Sequence, residues 1–390
     1  MSIEKYSVKL SHFRVDRMRI LFATDARKKI STYLNAPNFA KLNELDGVSI
    51  DFYNHNYADY DVVLFMGYDV RVTEARTINP FIKIGVIDPR PPKLNEILRA
   101  DFVIANGIEM QDWLADYFEN IFIYPIYPLV NGPLKVHEKH EPLIVGYHGN
   151  KAHLMATLPH ITRALEALSE DIELELWAIY DVRSLGEIPF ELCDPKKVKV
   201  RYFQWKEDVY ETLIPKMDIG IVPNQIPFKD EMLAKKQIKP FSPLLQPHES
   251  DFLMRFKNTS NAGRVYVFSQ LGIPVVAGMI PSASQAIRHE RNGYLANSSG
   301  SWYRALKNLS NSAELRAQMG RVLYEDFLRD VSPGVLNQRL INFMSGIEPQ
   351  PQYPVGHFAG MKQKVVKTAR SKTAWNQMSR IVKKIIRSRY

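Results

Sequence analysis

The sequence predicts an α/β protein built from two doubly wound domains with a cleft between them. Three observations support this prediction: the chain has 390 residues, apolar β-rich runs alternate with polar or amphipathic stretches, and the series restarts after a proline-rich segment. A chain of this length suggests about two domains of ordinary size. The alternation is typical of parallel sheets covered by helices.

The predicted elements divide into residues 1–135, residues 136–345 and a tail at 346–390. In the first domain, the strands are predicted at Arg19–Ala23, Val48–Tyr53, Val62–Gly67, Ile82–Ile87 and Phe102–Ala105. A proline-rich stretch, YPIYPLVNGPLKVHEKHEP, is the predicted linker. In the second domain, the strands are predicted at Leu143–Tyr147, Ile172–Ile179, Val198–Phe203, Ile219–Pro223 and Ile273–Ala277. Sheets of this type bind ligands beyond the carboxyl ends of their strands, so the cleft is the expected site.

Composition excludes several classes of protein. No uninterrupted apolar run approaches the roughly 18 residues of a membrane span, and residues 1–18 lack a secretory pattern, so we expect a cytoplasmic protein. Cys193 is the single cysteine, which excludes an intramolecular disulfide and a cysteine-based zinc cluster. Neither domain shows the G-x-G-x-x-G fingerprint after its first strand, so a nicotinamide cofactor is not expected.

The positive charge is concentrated at one end of the chain. The formal net charge is +9, but residues 361–390 contain ten Lys or Arg and no acidic residue, so the rest of the chain is close to neutral. A protein that reads nucleic acid with its folded body is expected to carry a basic face there. We therefore expect no nucleic-acid partner.

Three stretches of the second half resemble a known family. VKVRYFQWKEDVYETLIPKMDIGIVP, followed by FKNTSNAGRVYVFSQLGIPVVAG and AIRHERNGYLA, is similar to the carboxyl-terminal half of GT-B glycosyltransferases of the family 4 type, which include many bacterial polysaccharide and lipopolysaccharide enzymes. ADFVIANG and IFIYPIYP are similar to the amino-terminal half. The resemblance implies two Rossmann-like domains, an acceptor domain followed by a nucleotide-sugar domain.

The resemblance places the donor diphosphate near Lys257, Asn261 and Arg264. In such folds, helix amino termini at the carboxyl ends of the strands offer N–H groups and partial positive charge to phosphate. The three residues recur at i, i+4 and i+7 and are predicted to share one face at the start of a helix. The alternative is that Arg264 is a solvated helix residue and Lys257 a loop charge.

A second candidate cluster is GYHGNKAHL, directly after the first strand of the second domain. Related enzymes often place a glycine-rich turn and a basic residue here against the donor phosphates, which implies Gly149 and Lys151. His148 and His153 add polar groups near the predicted helix start. An ordinary strand-to-helix turn remains the alternative.

Two departures from the family pattern concern acidic residues. In PSASQ, Ser282 and Ser284 match a loop that contacts the transferred sugar in related enzymes, but Gln285 occupies about the acidic position. Many retaining members carry two glutamates eight positions apart, and the equivalent residues here are Thr259 and Val267. Ribose recognition and the choice between retention and inversion therefore stay open.

An inverting transferase requires a base for the acceptor hydroxyl. Asp88, just after an apolar strand at the cleft, is the first choice and His148 the second; the alternative for Asp88 is a turn-forming role. Asp59 and Asp61 form a D-x-D pattern, but they precede a strand, which favours a capping or turn role. We predict no metal site and no obligatory cofactor besides the nucleotide-sugar, because basic side chains would neutralise the leaving diphosphate.

Residues 224–250 interrupt the family pattern with four prolines and mixed charge. A connection of this length is either functional or partly disordered. It could cover the donor or form part of the acceptor site, and the sequence leaves these alternatives open.

Residues 346–390 are predicted to be a hinge followed by a basic amphipathic helix. On a helical projection, six apolar residues of WNQMSRIVKKIIRSRY fall within an arc of about 140°, and they are Trp375, Met378, Ile381, Val382, Ile385 and Ile386. The opposing arc of about 100° contains Arg380, Lys383, Lys384 and Arg387. This layout is typical of an interfacial helix on anionic lipid. The alternative is packing on the body or on a partner protein.

The predicted function is a glycosyltransferase of bacterial cell-surface polysaccharide synthesis. It would use a UDP-, GDP- or dTDP-sugar and a lipid-linked glycan acceptor. It would be bound peripherally to the inner face of the cell membrane, where other polysaccharide-assembly proteins are possible partners. Two alternatives are a non-catalytic GT-B scaffold that recruits a partner through its tail and a GT-B enzyme acting on DNA bases.

Overall fold

The structure is a computed structural model of the 390-residue chain. It describes residues 17–25, 30–90, 93–186, 195–226, 256–257 and 259–349. The tail helix, most of the 224–250 segment and Cys193 lie outside the described residues, so what the sequence predicts for them stays a prediction.

The first domain is a six-stranded parallel sheet with the strand order β2-β1-β3-β4-β5-β6. The strands are β1 (Met18–Phe22), β2 (Val48–Phe52), β3 (Val62–Met66), β4 (Lys83–Ile87), β5 (Phe102–Ala105) and β6 (Ile121–Ile123). The helices are α1 (Ile30–Ala40), α2 (Val72–Ile78), α3 (Leu94–Ile97) and α4 (Ile108–Ala115), with short 3-10 helices at Lys41–Glu44 and Tyr57–Asp59.

The second domain is also a six-stranded parallel sheet, with the order β12-β11-β10-β7-β8-β9. The strands are β7 (Leu143–His148), β8 (Leu174–Tyr180), β9 (Lys199–Gln204), β10 (Ile219–Val222), β11 (Val275–Ala277) and β12 (Gly293–Leu295). The helices are α5 (Lys151–Leu168), α6 (Val182–Leu185), α7 (Val209–Thr212), α8 (Gly263–Gln270), α9 (Pro281–Ala286), α10 (Ser299–Asn311), α11 (Ala313–Asp330) and α12 (Pro333–Ser345), with a 3-10 helix at Ile214–Lys216.

The two sheets confirm the predicted doubly wound architecture. The central strands β3, β5 and β10 are buried along their whole length, as expected of parallel strands covered on both faces. The strand order reverses between β1 and β3 in the first sheet and between β7 and β10 in the second. Because connections leave in opposite directions at such a point, a crevice opens beyond the carboxyl ends of the strands.

The predicted linker packs against the second domain. The backbone N–H of Val130 donates to Gln270 Oε1 over 3.0 Å, and that of Lys135 donates to the Leu271 carbonyl over 2.8 Å. Both acceptors belong to the end of α8 or the residue after it. The Asn38 amide of the first domain donates to the Tyr127 carbonyl over 2.7 Å, so the linker contacts both domains.

The last helix, α12, returns to the first domain. The Asn337 amide donates to the Asn38 carbonyl over 2.9 Å, and the Tyr124 hydroxyl donates to Asn337 Oδ1 over 3.0 Å. The Phe343 ring lies 5.7 Å from that of Phe102 and 5.3 Å from that of Phe122.

The domain boundaries at 135 and 345 stay predictions. Among the residues described, no helix is both long enough and apolar enough to cross a bilayer.

Candidate functional site

A cavity of about 520 Å³ lies between the two domains, at the carboxyl end of the second sheet. His148 ends β7 and Asn224 follows β10, so the cavity opens where the strand order of this sheet reverses. The residues that line it are Arg90, Ile126, Pro128, His148, Gly149, Asn150, His153, Asp181, Ser184, Leu185, Trp205, Tyr210, Asn224, Lys257, Thr259, Ser260, Asn261, Gly263, Arg264 and Val267.

The cavity wall has an excess of positive charge. Among the described lining residues, the cationic side chains are Arg90, Lys257 and Arg264, and the one carboxylate is that of Asp181. That carboxylate accepts hydrogen bonds from the Ser184 hydroxyl and N–H and from Gln204 Nε2, the last over 2.9 Å, and these bonds lower the pKa of Asp181. Because the Asp181 carboxylate already accepts these hydrogen bonds and Arg90 is paired with Asp88, Arg264 and Lys257 are the cations left to attract an anion.

Arg264 is the cation whose surroundings are best defined. Its Nη2 donates to Asn224 Oδ1 over 2.8 Å, its Nη1 donates to the Tyr147 hydroxyl over 3.4 Å, and its Cζ lies 5.8 Å from the centroid of the Tyr147 ring. Burial lowers the pKa of Arg264 and raises the pKa of Tyr147. The Tyr147 hydroxyl is therefore neutral, as is the Asn224 amide. Among the described ion pairs, none places a carboxylate within 4.0 Å of this guanidinium. A desolvated cation with neutral partners favours a bound counter-ion.

Gly149 allows Arg264 to lie against the loop that follows β7. Its φ is +130°, a backbone conformation that L side chains rarely adopt, and an added Cβ would lie 2.8 Å from Arg264 Cδ. Asn150, the next residue, is the N-cap of α5, and its Oδ1 accepts from the Ala152 N–H over 2.9 Å. The predicted glycine-rich turn therefore brings backbone and Arg264 together at the cavity.

Two histidines of the wall are held neutral. His153 Nδ1 lies 2.8 Å from the Gln225 carbonyl oxygen, and His148 Nε2 lies 3.4 Å from that of Arg264. The pKa of each imidazole is lowered to about 3, mainly by burial and secondly by the charge of Arg264. His148 is therefore a weak base at neutral pH. An anion bound at Arg264 would favour proton uptake by both rings.

Lys257 and Asn261 line the cavity together with Arg264, but the predicted helix face is wrong. The helix α8 begins only at Gly263, so Lys257 and Asn261 lie in the loop before it. Asn261 Oδ1 accepts from the Gly263 N–H over 2.7 Å, and an added Cβ at Gly263 would lie 1.8 Å from the Ile126 carbonyl oxygen. The three residues converge because the loop turns into a helix that packs on the linker.

Three other predicted donor-binding residues do not line the cavity. Lys151 Nζ donates to the Gly186 carbonyl over 2.8 Å, and the Ser284 hydroxyl donates to the Ile280 carbonyl over 3.1 Å. The Ser282 N–H and hydroxyl both donate to Glu109 Oε1, over 3.0 and 2.9 Å. The Glu109 carboxylate of the first domain thus occupies both hydrogen-bond donors of Ser282. The role of these three residues in binding the nucleotide-sugar stays a prediction.

Asp88 lies behind the cavity wall. It follows β4 with φ of +53° and is 1% exposed, and its Oδ2 accepts from Arg90 Nε over 2.9 Å and also from Arg90 Nη2. Its Oδ1 accepts from the Asn106 amide. Burial raises the pKa of Asp88 to about 6, and Arg90 opposes the shift. The carboxylate positions Arg90, which does line the cavity, and the role of Asp88 as the base stays a prediction.

Sequence reasoning missed Arg90, Asn224 and Tyr147 as parts of the site. Arg90 follows the predicted base, Asp88, by two residues. A cation so close to a carboxylate at the cleft could have been predicted to lie at the site as well. Asn224 belongs to the segment interpreted as an insertion, which gave no local signal. Tyr147 lies within the candidate cluster GYHGNKAHL, but it was assigned to the strand and given no role in the site. The side chains at both glutamate positions of the family, Thr259 and Val267, do lie in the cavity wall.

The D-x-D residues have backbone and side-chain partners. Asp61 Oδ2 accepts from the Arg19 N–H over 2.7 Å, and Asp59 Oδ2 accepts from the Asn56 amide. Within the described ranges, no group of three or more His, Cys, Asp or Glu side chains is placed to hold a metal ion.

The comparisons with known proteins identify the fold. The sequence matches no protein-family model, and no curated protein matches it significantly. Among solved structures, a glycosyltransferase from Rickettsia africae ESF-5 is similar with a TM-score of 0.53 and 11% identity, over 85% of this chain and 98% of that one. A sucrose-phosphate synthase from Thermosynechococcus elongatus has a TM-score of 0.50 and 9% identity, over 84% of this chain and 98% of that one. At such low identity the similarity shows the fold alone, and it confirms that the chain has the GT-B fold of glycosyltransferases.

Proposed function

We propose that the protein is a glycosyltransferase that binds a nucleotide-sugar in the cavity between its domains. The observation that supports this proposal is the half-buried Arg264, whose hydrogen-bond partners among the described residues are neutral, at the point of a GT-B fold where the strand order reverses. The structural similarity to a Rickettsia glycosyltransferase supports the same reaction class. The donor is a UDP-, GDP- or dTDP-sugar, and the acceptor is a lipid-linked glycan of O-antigen, lipopolysaccharide or capsule synthesis.

The chemistry of the wall suits departure of a nucleoside diphosphate. When the bond from the sugar to the diphosphate breaks, negative charge develops on the leaving phosphate oxygen. Arg264 and Lys257 from the second domain can compensate this charge, and Arg90 from the first domain, which is paired with Asp88, lines the same cavity. Since Asn224 and Tyr147 already hold the Arg264 guanidinium, little reorganisation of this residue is needed during the reaction.

A second candidate function is a non-catalytic GT-B binding protein. Thr259 and Val267 lie in the cavity wall, at the positions where many retaining members of the resembling family carry glutamates. A cleft without these carboxylates could bind a nucleotide-sugar without catalysing transfer of its sugar. The two candidates differ in whether sugar is transferred.

A thermal-shift panel tests the donor site. We expect at least one of UDP, GDP and dTDP to raise the unfolding temperature, because a ligand at 100 times its dissociation constant stabilises the folded state by about 2.7 kcal/mol. Uridine, guanosine and thymidine are the matched controls, since they lack the diphosphate and should give smaller shifts. A flat response to every nucleoside diphosphate would contradict the proposed function. Transfer from the corresponding sugar nucleotides to lipid-linked acceptors then separates the enzyme from the binding protein.

We also propose that residues 361–390 hold the enzyme on the cytoplasmic face of the membrane. What supports this is the sequence alone: ten cations without an acidic residue, and an apolar arc that includes Trp375. Cations near an anionic surface contribute roughly 1 kcal/mol each. A lipid-linked acceptor would be presented at that surface.

Sedimentation with anionic liposomes tests the tail. Full-length protein is expected to sediment at low salt, and removal of residues 361–390 should release it without loss of nucleotide binding. The binding should weaken with salt, because screening shortens the reach of the cations. Neutral liposomes are the control. If the full-length protein stays in the supernatant at low salt, the tail belongs to a protein partner instead.

A further inference from the structure

The side chain of Asn224 is fixed between two strands and the cavity. The residue follows β10, is 3% exposed and lines the cavity. Its Nδ2 donates to the carbonyl oxygens of Val222 and Gly278, over 3.1 Å in both cases. These acceptors lie at the carboxyl ends of β10 and β11, so the amide is held by the sheet itself.

This pair of hydrogen bonds decides the orientation of the amide. An amide NH₂ has two donors, and both are used by Val222 and Gly278, so the acceptor Oδ1 must point the other way. There it accepts from Arg264 Nη2 over 2.8 Å. The flipped amide would set its NH₂ against the guanidinium and its oxygen against two carbonyls, which excludes it.

We propose that Asn224 is a positioning residue, which orients Arg264 toward the donor diphosphate and leaves the charge of the guanidinium available to it. The inference rests on the proposed function, because it requires a diphosphate at Arg264. Asn224 acts through the arginine and needs no contact with the reacting atoms. Its neutrality is the essential property.

A comparison within the chain shows what a charged partner would do. In the first domain, Arg76 Nη2 lies 2.6 Å from the buried Asp101 carboxylate, and the two charges compensate each other. At Arg264 the corresponding acceptor is the amide oxygen of Asn224. An amide fixes the direction of the guanidinium as a carboxylate would, but it does not compete with an incoming anion.

Inorganic pyrophosphate is the probe, because it carries the diphosphate chemistry without a nucleobase or sugar. We expect calorimetric titration of the full-length protein to show binding by the wild type. Asn224→Ala should weaken it on the order of tenfold, since the guanidinium loses its fixed direction. Asn224→Asp should weaken it on the order of a hundredfold, since a carboxylate pairs with the guanidinium.

Asn297→Asp is the matched control for added negative charge. Asn297 Oδ1 accepts from the Met279 N–H over 3.1 Å at a neighbouring strand end, a bond that aspartate can keep, and Asn297 does not line the cavity. Its pyrophosphate affinity should equal that of the wild type. Unfolding temperatures without ligand show which variants are folded. If Asn224→Asp does not fold, Asn224→Ala still decides the question.

A double-mutant cycle separates positioning from a structural role. In the Arg264→Ala background, Asn224→Ala should cause no further loss, because the two residues act as one unit. An equal loss in both backgrounds, or unchanged binding by folded Asn224→Ala, would overturn the inference. The proposed function fails separately: the wild type would then bind neither pyrophosphate nor any nucleoside diphosphate.

Discussion

Replacing Arg264 by alanine is expected to lower kcat/KM by on the order of 2 kcal/mol, about 30-fold, or more if the charge acts mainly in the transition state. The guanidinium lies in the cavity wall with neutral partners, so a bound diphosphate is the group that would compensate its charge. Loss of the arginine therefore removes attraction for the donor and for the leaving group. Steady-state kinetics with the sugar nucleotide found in the donor screen measures the effect.

Two variants make the Arg264 result interpretable. Arg304→Ala removes an exposed arginine of α10 that does not line the cavity, and it should behave like the wild type. Arg264→Lys keeps the charge but loses the planar fork of donors, so it should be intermediate. Wild-type turnover by both Arg264→Ala and Lys257→Ala would show that the diphosphate binds elsewhere.

Asp88→Asn is expected to lower kcat on the order of 10²- to 10⁴-fold if the enzyme inverts the configuration of the sugar. Burial raises the pKa of Asp88 to about 6, which is close to the value that a base working at neutral pH requires. A base acts when it is ionised, so the wild-type rate should fall as the pH drops through about 6. Asparagine does not titrate, and the variant should lose this limb of the profile.

Arg90 provides the check on this assignment. Its guanidinium lowers the pKa of Asp88 by charge and by hydrogen bonding, so Arg90→Met should move the acidic limb to higher pH. A residue with a purely structural role would leave the position of the limb unchanged. An unimpaired rate in Asp88→Asn rules the base out. If the product retains the anomeric configuration of the donor, no base is needed and the expectation lapses.

The framework of the fold was predictable because it depends on local pattern. Apolar runs separated by amphipathic stretches predicted the strand Phe102–Ala105 with its observed bounds, and most other strands within one or two residues. The strand β6, Ile121–Ile123, was not predicted as a strand. Its three residues, Ile-Phe-Ile, are apolar, but the run is short and stands directly before the proline-rich stretch, at the edge of its sheet.

The cavity itself was only partly predictable. The sequence by itself determined that glycines and cations follow the strands of a second doubly wound domain, and that placed Gly149, Lys257 and Arg264 at one site. Only the tertiary structure decided their partners. Arg264 contacts Asn224, 40 positions away, and Ser282 contacts Glu109, 173 positions away in the other domain. Sheet order and domain packing bring such residues together, and the periodicity of a short segment carries no information about either.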